Sequence, residues 1–249
     1  MILTDKNAVI YGAGGTIGSA MAEGFAAEGA NCFLVGRTAA TLDAVAERIR
    51  ARGGRAETAV VDALDATAVA DHADALVERA GSLDISVNVT ARTSIFTPLV
   101  DVSVADFAAA MAELVTSQLL TTKAAARHMI AQKSGVILFF GGSDPTTRIP
   151  GLGNVQVGCD AVEGLRRQWA CELGPHGVRV VSLLTGGIPE SFPDTPETAS
   201  VRAGMHAATL LGRAATRSDV GHVAAFVASD LGRTLTATQV NISCGALGD

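Results

Sequence analysis

The sequence of 249 residues is poor in phenol and ammonium groups, since its single tyrosine is Tyr11 and no lysine follows Lys133. The chain beyond residue 133 therefore offers neither group for proton transfer. Basic residues are also scarce, because 19 Lys and Arg face 25 Asp and Glu for a net charge of −6 and a pI near 5.3. This balance argues against a nucleic-acid-binding protein.

Other absences narrow the class further. No apolar run approaches the roughly 18 residues of a membrane-spanning helix, so we expect a soluble protein without a membrane partner. The N-terminal residues lack the basic stretch and cleavage site of a signal peptide, which predicts a cytoplasmic protein. The four cysteines have no C-x-x-C spacing, and this predicts free thiols and no metal site.

A glycine-rich turn is the first positive feature. An apolar run at residues 8–11 is followed by Gly12-Ala13-Gly14-Gly15-Thr16-Ile17-Gly18 and then by a helix-like stretch at 19–28. A second apolar run at 31–35 completes a β-α-β unit of the type that binds dinucleotides. Glycines permit the tight turn and let the backbone approach a pyrophosphate, whose charge meets the N-terminus of the helix.

The rest of the chain continues this alternation. Further strands are predicted at 56–61, 83–88, 135–140, 178–184 and 238–242. Further helices are predicted at 39–52, 66–80, 104–131, 152–173 and 218–228. Seven strands joined by helices predict an α/β fold, a Rossmann-type doubly wound parallel sheet with helices on both faces and ligands at the carboxyl ends of the strands. We expect one domain over 1–249, with a loop at 189–198 inside a short substrate lid at 189–211.

On these motifs the chain resembles the short-chain dehydrogenase/reductase family over essentially its whole length. The glycine turn resembles the family's TGxxxGxG, with Tyr11 in the Thr position and Thr16 replacing the middle glycine. Asn88-Val89-Thr90-Ala91 stands where the family has Asn-Asn-Ala-Gly, and Thr185-Gly186 replaces its Pro-Gly. The C-terminal pattern of the family is matched by Gly212-Arg213, Ser218-Asp219-Val220 and Phe226-Val227-Ala228-Ser229-Asp230.

The resemblance implies a nicotinamide dinucleotide as cofactor. The second strand ends in Val35-Gly36-Arg37, without a carboxylate to bind an adenosine ribose, and Arg37 offers a planar charged group suited to phosphate. A solvated surface arginine is the plain alternative, yet the pattern favours NADP(H) over NAD(H). The implied cofactor-binding residues are Gly12, Gly14, Gly15, Thr16, Ile17, Gly18, Arg37, Asp62, Ala63, Asn88, Val89, Gly186 and Ile188.

The family's catalytic positions are all changed. Aligned through Ala161-Val162-Glu163-Gly164-Leu165, the family's Tyr and Lys fall on Val155 and Cys159. Its Ser falls on Gly142 and its Asn near Leu114. Valine cannot exchange a proton, and losing a general acid/base costs about 10²- to 10⁴-fold in rate.

Weak replacements are Ser143, Asp144 and Cys159, although Asp144 before Pro145 is typical of a turn and Cys159 of a small apolar helix residue. Other polar residues predicted near the cleft are Thr90, Arg92, Arg148, Asp160, Glu190 and His206.

The sequence is compatible with three functions. The first is an oxidoreductase with an altered mechanism that does not use Tyr and Lys. The second is a noncatalytic dinucleotide-binding sensor or partner protein, and the third is a redox-independent lyase or cyclase that uses the same cleft. By analogy with relatives, the small apolar residues of the helix at 104–131 predict a homotetramer or homodimer that takes a small-molecule ligand.

Overall fold

A computed structural model of the chain describes residues 1–90, 95–141 and 150–247. The described residues form seven strands: β1 (Asn7–Tyr11), β2 (Asn31–Gly36), β3 (Arg55–Val60), β4 (Ile85–Asn88), β5 (Gly135–Phe140), β6 (Val178–Leu184) and β7 (Thr238–Asn241). They also form seven α-helices: α1 (Thr16–Ala27), α2 (Ala39–Ala51), α3 (Ala66–Ala80), α4 (Val104–Gln132), α5 (Gly153–Leu173), α6 (Pro196–Ala207) and α7 (Arg217–Ala228). The predicted alternation is confirmed, with most boundaries within three residues.

The strands form one parallel sheet in the order β3-β2-β1-β4-β5-β6-β7. Strand β1 pairs with β2 on one side and β4 on the other, and Tyr11 at its end lies opposite Asn88 of β4. The chain therefore changes direction across the sheet between β1 and β4. In open α/β sheets ligands bind at such a point, beyond the carboxyl ends of the strands.

Helices cover both faces of the sheet. Helices α1, α2 and α7 pack on one face, where Met21, Phe25 and Val220 are fully buried. Helices α3, α4 and α5 pack on the other, around Leu76, Met129 and Leu173. All residues of β1 and β4 are buried, as expected for central parallel strands between two helical layers. This confirms the Rossmann-type fold class.

The segment predicted as a loop at 189–198 is wrong in part. A single 3₁₀ turn spans Pro189–Ser191, and α6 begins at Pro196. Proline suits a first helical position because its missing N–H would have no partner there. The amide of Thr195 donates to Oγ1 of Thr198 at 3.3 Å, which supports the helix start. No residue of α6 is buried, so the helix has no apolar stripe that a sequence pattern could detect. That this segment closes over a substrate stays a prediction.

Candidate functional site

The glycine turn joins β1 to α1 at the carboxyl edge of the sheet. Gly12 has a φ of +87°, and a Cβ there would lie 2.6 Å from the carbonyl oxygen of Val89. A Cβ on Gly18 would overlap the carbonyl oxygen of Gly12. Only glycine fits at these two positions. Gly15 is different, because a Cβ there would approach nothing closer than 3.4 Å.

A cleft of about 580 Å³ lies along this turn. Ten of the predicted cofactor-binding residues line it: Gly12, Gly14, Gly15, Thr16, Ile17, Gly18, Arg37, Asp62, Ala63 and Val89. Helix α1 begins here, and the N–H groups of a first helical turn have no intrahelical partners. These amides and the positive end of the helix dipole suit an anionic group such as a pyrophosphate. The cleft therefore fits a dinucleotide at this end.

The end of β2 supplies the only positively charged side chain among the described residues that line the cleft. Arg37 is exposed, and within the described residues its guanidinium has no hydrogen-bond or ion-pair partner. Thr38 precedes α2, and Thr41 of its first turn also lines the cleft. Oγ1 of Thr41 donates to the carbonyl of Thr38 at 2.9 Å. Because α2 carries no acidic residue in its first turn, its N-terminus adds positive potential beside Arg37.

Two carboxylates line the same cleft. Asp62 follows β3, and its Oδ1 accepts a hydrogen bond from the amide of Leu64 at 3.0 Å, which fixes the side chain. Glu113 comes from α4. Sequence reasoning missed Glu113, because the side of α4 that faces the cleft depends on how the helix packs against the sheet.

A second, smaller cavity of about 190 Å³ shares lining residues with the cleft. Its walls are Ile17, Asn88, Val89, Thr90, Leu114, Gln118 and Phe140. Here Asn88 donates from Nδ2 to Oγ1 of Thr121 at 3.0 Å. Its Oδ1 accepts from the amide of Thr90 at 3.0 Å and from the Thr90 hydroxyl at 2.8 Å. Nε2 of Gln118 donates to the Asn88 carbonyl at 3.1 Å. These bonds fix the end of β4 against α4.

Apolar packing occupies the seam between α4 and α5 where the resemblance places the family's Asn. Leu114 is buried, and a Cβ on Gly158 of α5 would lie 2.8 Å from its Cδ2 and 3.2 Å from Cε of Met111. Leu114 thus fits against the bare backbone of Gly158. On the same helix Cys159 is buried and Val155 is half-buried. Leu114 and Val155 have no proton to donate, so neither can act as a general acid.

The sole tyrosine lies away from this seam. Tyr11 ends β1 with its side chain buried among Val35, Val69 and other residues under α3. Its ring meets the ring of His72 edge to face, with centroids 6.4 Å apart. Burial raises the pKa of the Tyr11 phenol far above its ordinary value of 10.0. The prediction that Tyr11 lies in the first strand is confirmed.

Several predicted residues lie elsewhere. Gly142, Ser143, Asp144, Arg92 and Arg148 are outside the described residues. Gly186 and Ile188 follow β6 and are not among the lining residues of either cavity in the described part of the chain.

The remaining candidates have structural surroundings. The carboxylate oxygens of Glu190 accept from the amide of Arg217 at 3.3 Å, at the start of α7. Nδ1 of His206 accepts from the amide of Ala214 at 3.0 Å. Asp160 is exposed on α5, and Thr90 alone of these lines both cavities.

The parallel sheet, its two helical layers and the glycine-lined cleft define a Rossmann-type α/β protein. A model of the family described as enoyl-(acyl carrier protein) reductase matches residues 12–246. An uncharacterised oxidoreductase of Mycobacterium tuberculosis is 35% identical over 247 residues, which cover 98% of this chain and 92% of the relative.

Solved structures of similar fold belong to the same family. A short-chain type dehydrogenase/reductase of Mycobacterium ulcerans has a TM-score of 0.88 and 26% identity, covering 99% of this chain and 91% of that one. A short chain dehydrogenase of Burkholderia cenocepacia in complex with NADP has a TM-score of 0.85 and 27% identity, covering 99% of both chains. The chain belongs to the short-chain dehydrogenase/reductase family, as its motifs predicted. No helix among the described residues is long and apolar enough to cross a membrane.

Proposed function

We propose that this protein is an NADP(H)-dependent oxidoreductase that works without a tyrosine and lysine pair. The observation that carries the proposal is the cleft itself, which is lined by the glycine turn, the start of α1 and Arg37, whose guanidinium has no partner among the described residues. Membership of an oxidoreductase family supports the redox class.

In this proposal the pyrophosphate, the 2′-phosphate and the adenine of the cofactor are bound by different parts of the chain. The amides at the start of α1 bind the pyrophosphate. Arg37 and the N-terminus of α2 bind the 2′-phosphate of the adenosine ribose, where a carboxylate would repel it. Asp62, held by the amide of Leu64, accepts from the adenine amino group, beside Ala63.

The nicotinamide end lies at the inner cavity, which Asn88 and Val89 line at the end of β4. The family resemblance adds Gly186 and Ile188, which follow β6, to the residues that would bind this end. When bound, the cofactor supplies or accepts hydride. The chain's contribution there is to orient the ring and to exclude water with Ile17.

The proton takes a different route from the one that a tyrosine would provide. Leu114, Val155 and Gly142 offer no acid, so in this proposal the proton comes from water or from a group on the substrate. Ser143 and Asp144 are further candidates for donors, since they follow β5 in the sequence.

Thermal unfolding with and without cofactor tests the proposal. A ligand that binds only the native state at about 100 times its Kd adds roughly 2.7 kcal/mol of stability. For a chain of this size that is a rise in Tm of about 5–10 °C. We expect this rise with NADPH and a smaller one with NADH at the same concentration. If neither dinucleotide raises Tm at millimolar concentration, the proposed function is wrong.

The same proposal includes a homo-oligomer, a dimer or tetramer. Helix α4 exposes Val104 and Leu119, and α5 exposes Val157, which gives an apolar surface that a second copy could bury. Light scattering coupled to size exclusion measures the mass directly, and a monomer at micromolar concentration would contradict it.

A further inference from the structure

The inner cavity has no titratable side chain among the described residues that line it. Its polar groups are already bonded to one another, because Asn88 is held by Thr90, Thr121 and Gln118. We propose that the physiological hydride acceptor is a quinone, whose reduction needs no acid from the protein. This inference rests on the proposed NADP(H)-dependent function and names the substrate class for the same site.

Hydride transfer leaves a much stronger base on a ketone than on a quinone. Hydride added to a simple ketone leaves an alkoxide, whose conjugate acid has a pKa of about 16, close to that of bulk water. A quinone reduced in the same way leaves a phenolate-type anion, whose conjugate acid has a pKa of about 10. The difference of about six pKa units corresponds to a factor of about 10⁶ in the stability of the anion. Because no acid is among the described residues that line the inner cavity, the quinone is favoured over a simple ketone.

The reaction balances with one proton from solvent. A C–H bond of the dihydronicotinamide ring breaks, and the hydrogen leaves with both electrons of that bond. It bonds to one carbonyl oxygen of the quinone, the ring gains two electrons, and the second oxygen carries the negative charge until it takes a proton from water. The quinone is reduced to a hydroquinone, and NADPH is oxidised to NADP⁺.

Apolar residues after β4 suit such an acceptor. Phe96 and Leu99 are 73% and 61% exposed at the carboxyl edge of the sheet. Leu99 packs against Gly153 in the first turn of α5, which also contains Val155, and the amide of Ile95 donates to Oδ1 of Asn154 at 3.1 Å. This segment is therefore fixed beside the start of α5. A flat, uncharged ring can bury Phe96 and Leu99 there without leaving a charge unpaired.

Leu231 provides a matched control for Leu99. It is the same residue type, is 62% exposed, and follows α7 at the opposite edge of the sheet, just before β7. We would titrate menadione into the protein saturated with NADP⁺, where no turnover occurs, and measure its Kd by calorimetry. Leu99→Ser should raise the Kd for menadione about 3- to 10-fold, which corresponds to part of the free energy of burying one leucine side chain. Leu231→Ser should leave the Kd unchanged.

Turnover is measured with menadione and α-tetralone, two bicyclic carbonyl compounds of similar size. With NADPH, and after subtraction of the protein-free rate, kcat/KM for menadione should exceed that for α-tetralone by at least about 10³-fold. This ratio is part of the factor of about 10⁶ by which the anion from the quinone is more stable than the alkoxide from the ketone. Comparable values for both, or menadione reduction no faster than without protein, would overturn the quinone inference. If NADPH raises Tm while menadione neither binds nor reacts, the acceptor class alone is wrong. If NADPH does not bind, both proposals fail.

Discussion

Replacing Gly158 by alanine tests whether apolar packing has taken the place of a polar group between α4 and α5. In a helix interior Gly→Ala is worth about 1 kcal/mol of stability. Here the new methyl would lie 2.8 Å from Cδ2 of Leu114 and 3.2 Å from Cε of Met111, and such overpacking costs about 1–3 kcal/mol. Gly158→Ala alone should therefore range from neutral to about 2 kcal/mol destabilising.

The effect of Gly158→Ala on stability should change from destabilising to stabilising when Leu114 is shortened. Leu114→Ala costs about 2–5 kcal/mol by opening a cavity, and it removes the atom that Gly158→Ala would meet. In that background Gly158→Ala should stabilise by up to about 1 kcal/mol, because helix propensity favours alanine and the remaining close atom, Cε of Met111 at 3.2 Å, is the end of a flexible side chain. The two substitutions should thus couple by about 1–3 kcal/mol.

Urea unfolding followed by circular dichroism gives the four free energies of unfolding that this cycle needs. The slopes with urea should stay constant, so that midpoints report stability. If Gly158→Ala has the same effect in both backgrounds, Leu114 does not pack against this glycine and the account of the seam is wrong.

Two further predictions concern the glycine turn and pH. Gly12→Ala should abolish NADPH binding and destabilise the fold by at least about 1–3 kcal/mol, because its φ of +87° and the Val89 carbonyl leave no room for a Cβ. Gly15→Ala, in the same turn, should fold normally. The prediction is contradicted if the two variants lose NADPH affinity and unfolding free energy to the same extent. Burial, then the charge of Arg79, lowers the pKa of His72 from 6.5, so the native state favours neutral His72 and stability should fall as pH drops below about 6.5. His72→Gln should reduce the change in unfolding free energy between pH 7.5 and 5, and an unchanged pH dependence would refute it.

The five inner strands were predictable because they are apolar and largely buried, whereas β3 and β7 lie at the edges of the sheet and were placed by the alternation of strands and helices. The runs at 135–140 and 178–184 match β5 and β6 residue for residue. Helix α1 was predicted to begin at residue 19, yet it begins at Thr16, because the last residues of the glycine motif already form the first helical turn. Local pattern does not separate a glycine turn from a helix that starts inside it.

The candidate site was only partly predictable, because cleft residues come together through packing. Gly12 and Asp62 follow strands, and the ends of parallel strands share one edge, so a motif was enough to place them. Glu113 and Ser117 lie on the long helix α4, and no local signal says which of its faces meets the cleft. The bond between Asn88 and Thr121 joins residues 33 positions apart and follows from tertiary packing alone.

Binding of NADP⁺ and NAD⁺ by calorimetry, in the native protein and in Arg37→Glu, tests most directly whether the cleft is an NADP(H) site. A charge-assisted hydrogen bond is worth about 1.5–3 kcal/mol, so NADP⁺ should bind at least about tenfold more tightly than NAD⁺. Arg37→Glu should remove or reverse that preference, whereas Arg233→Glu, an exposed arginine just after the turn at Asp230–Gly232, should keep it. Equal affinity of the native protein for both dinucleotides, or a preference that survives Arg37→Glu, would contradict the account.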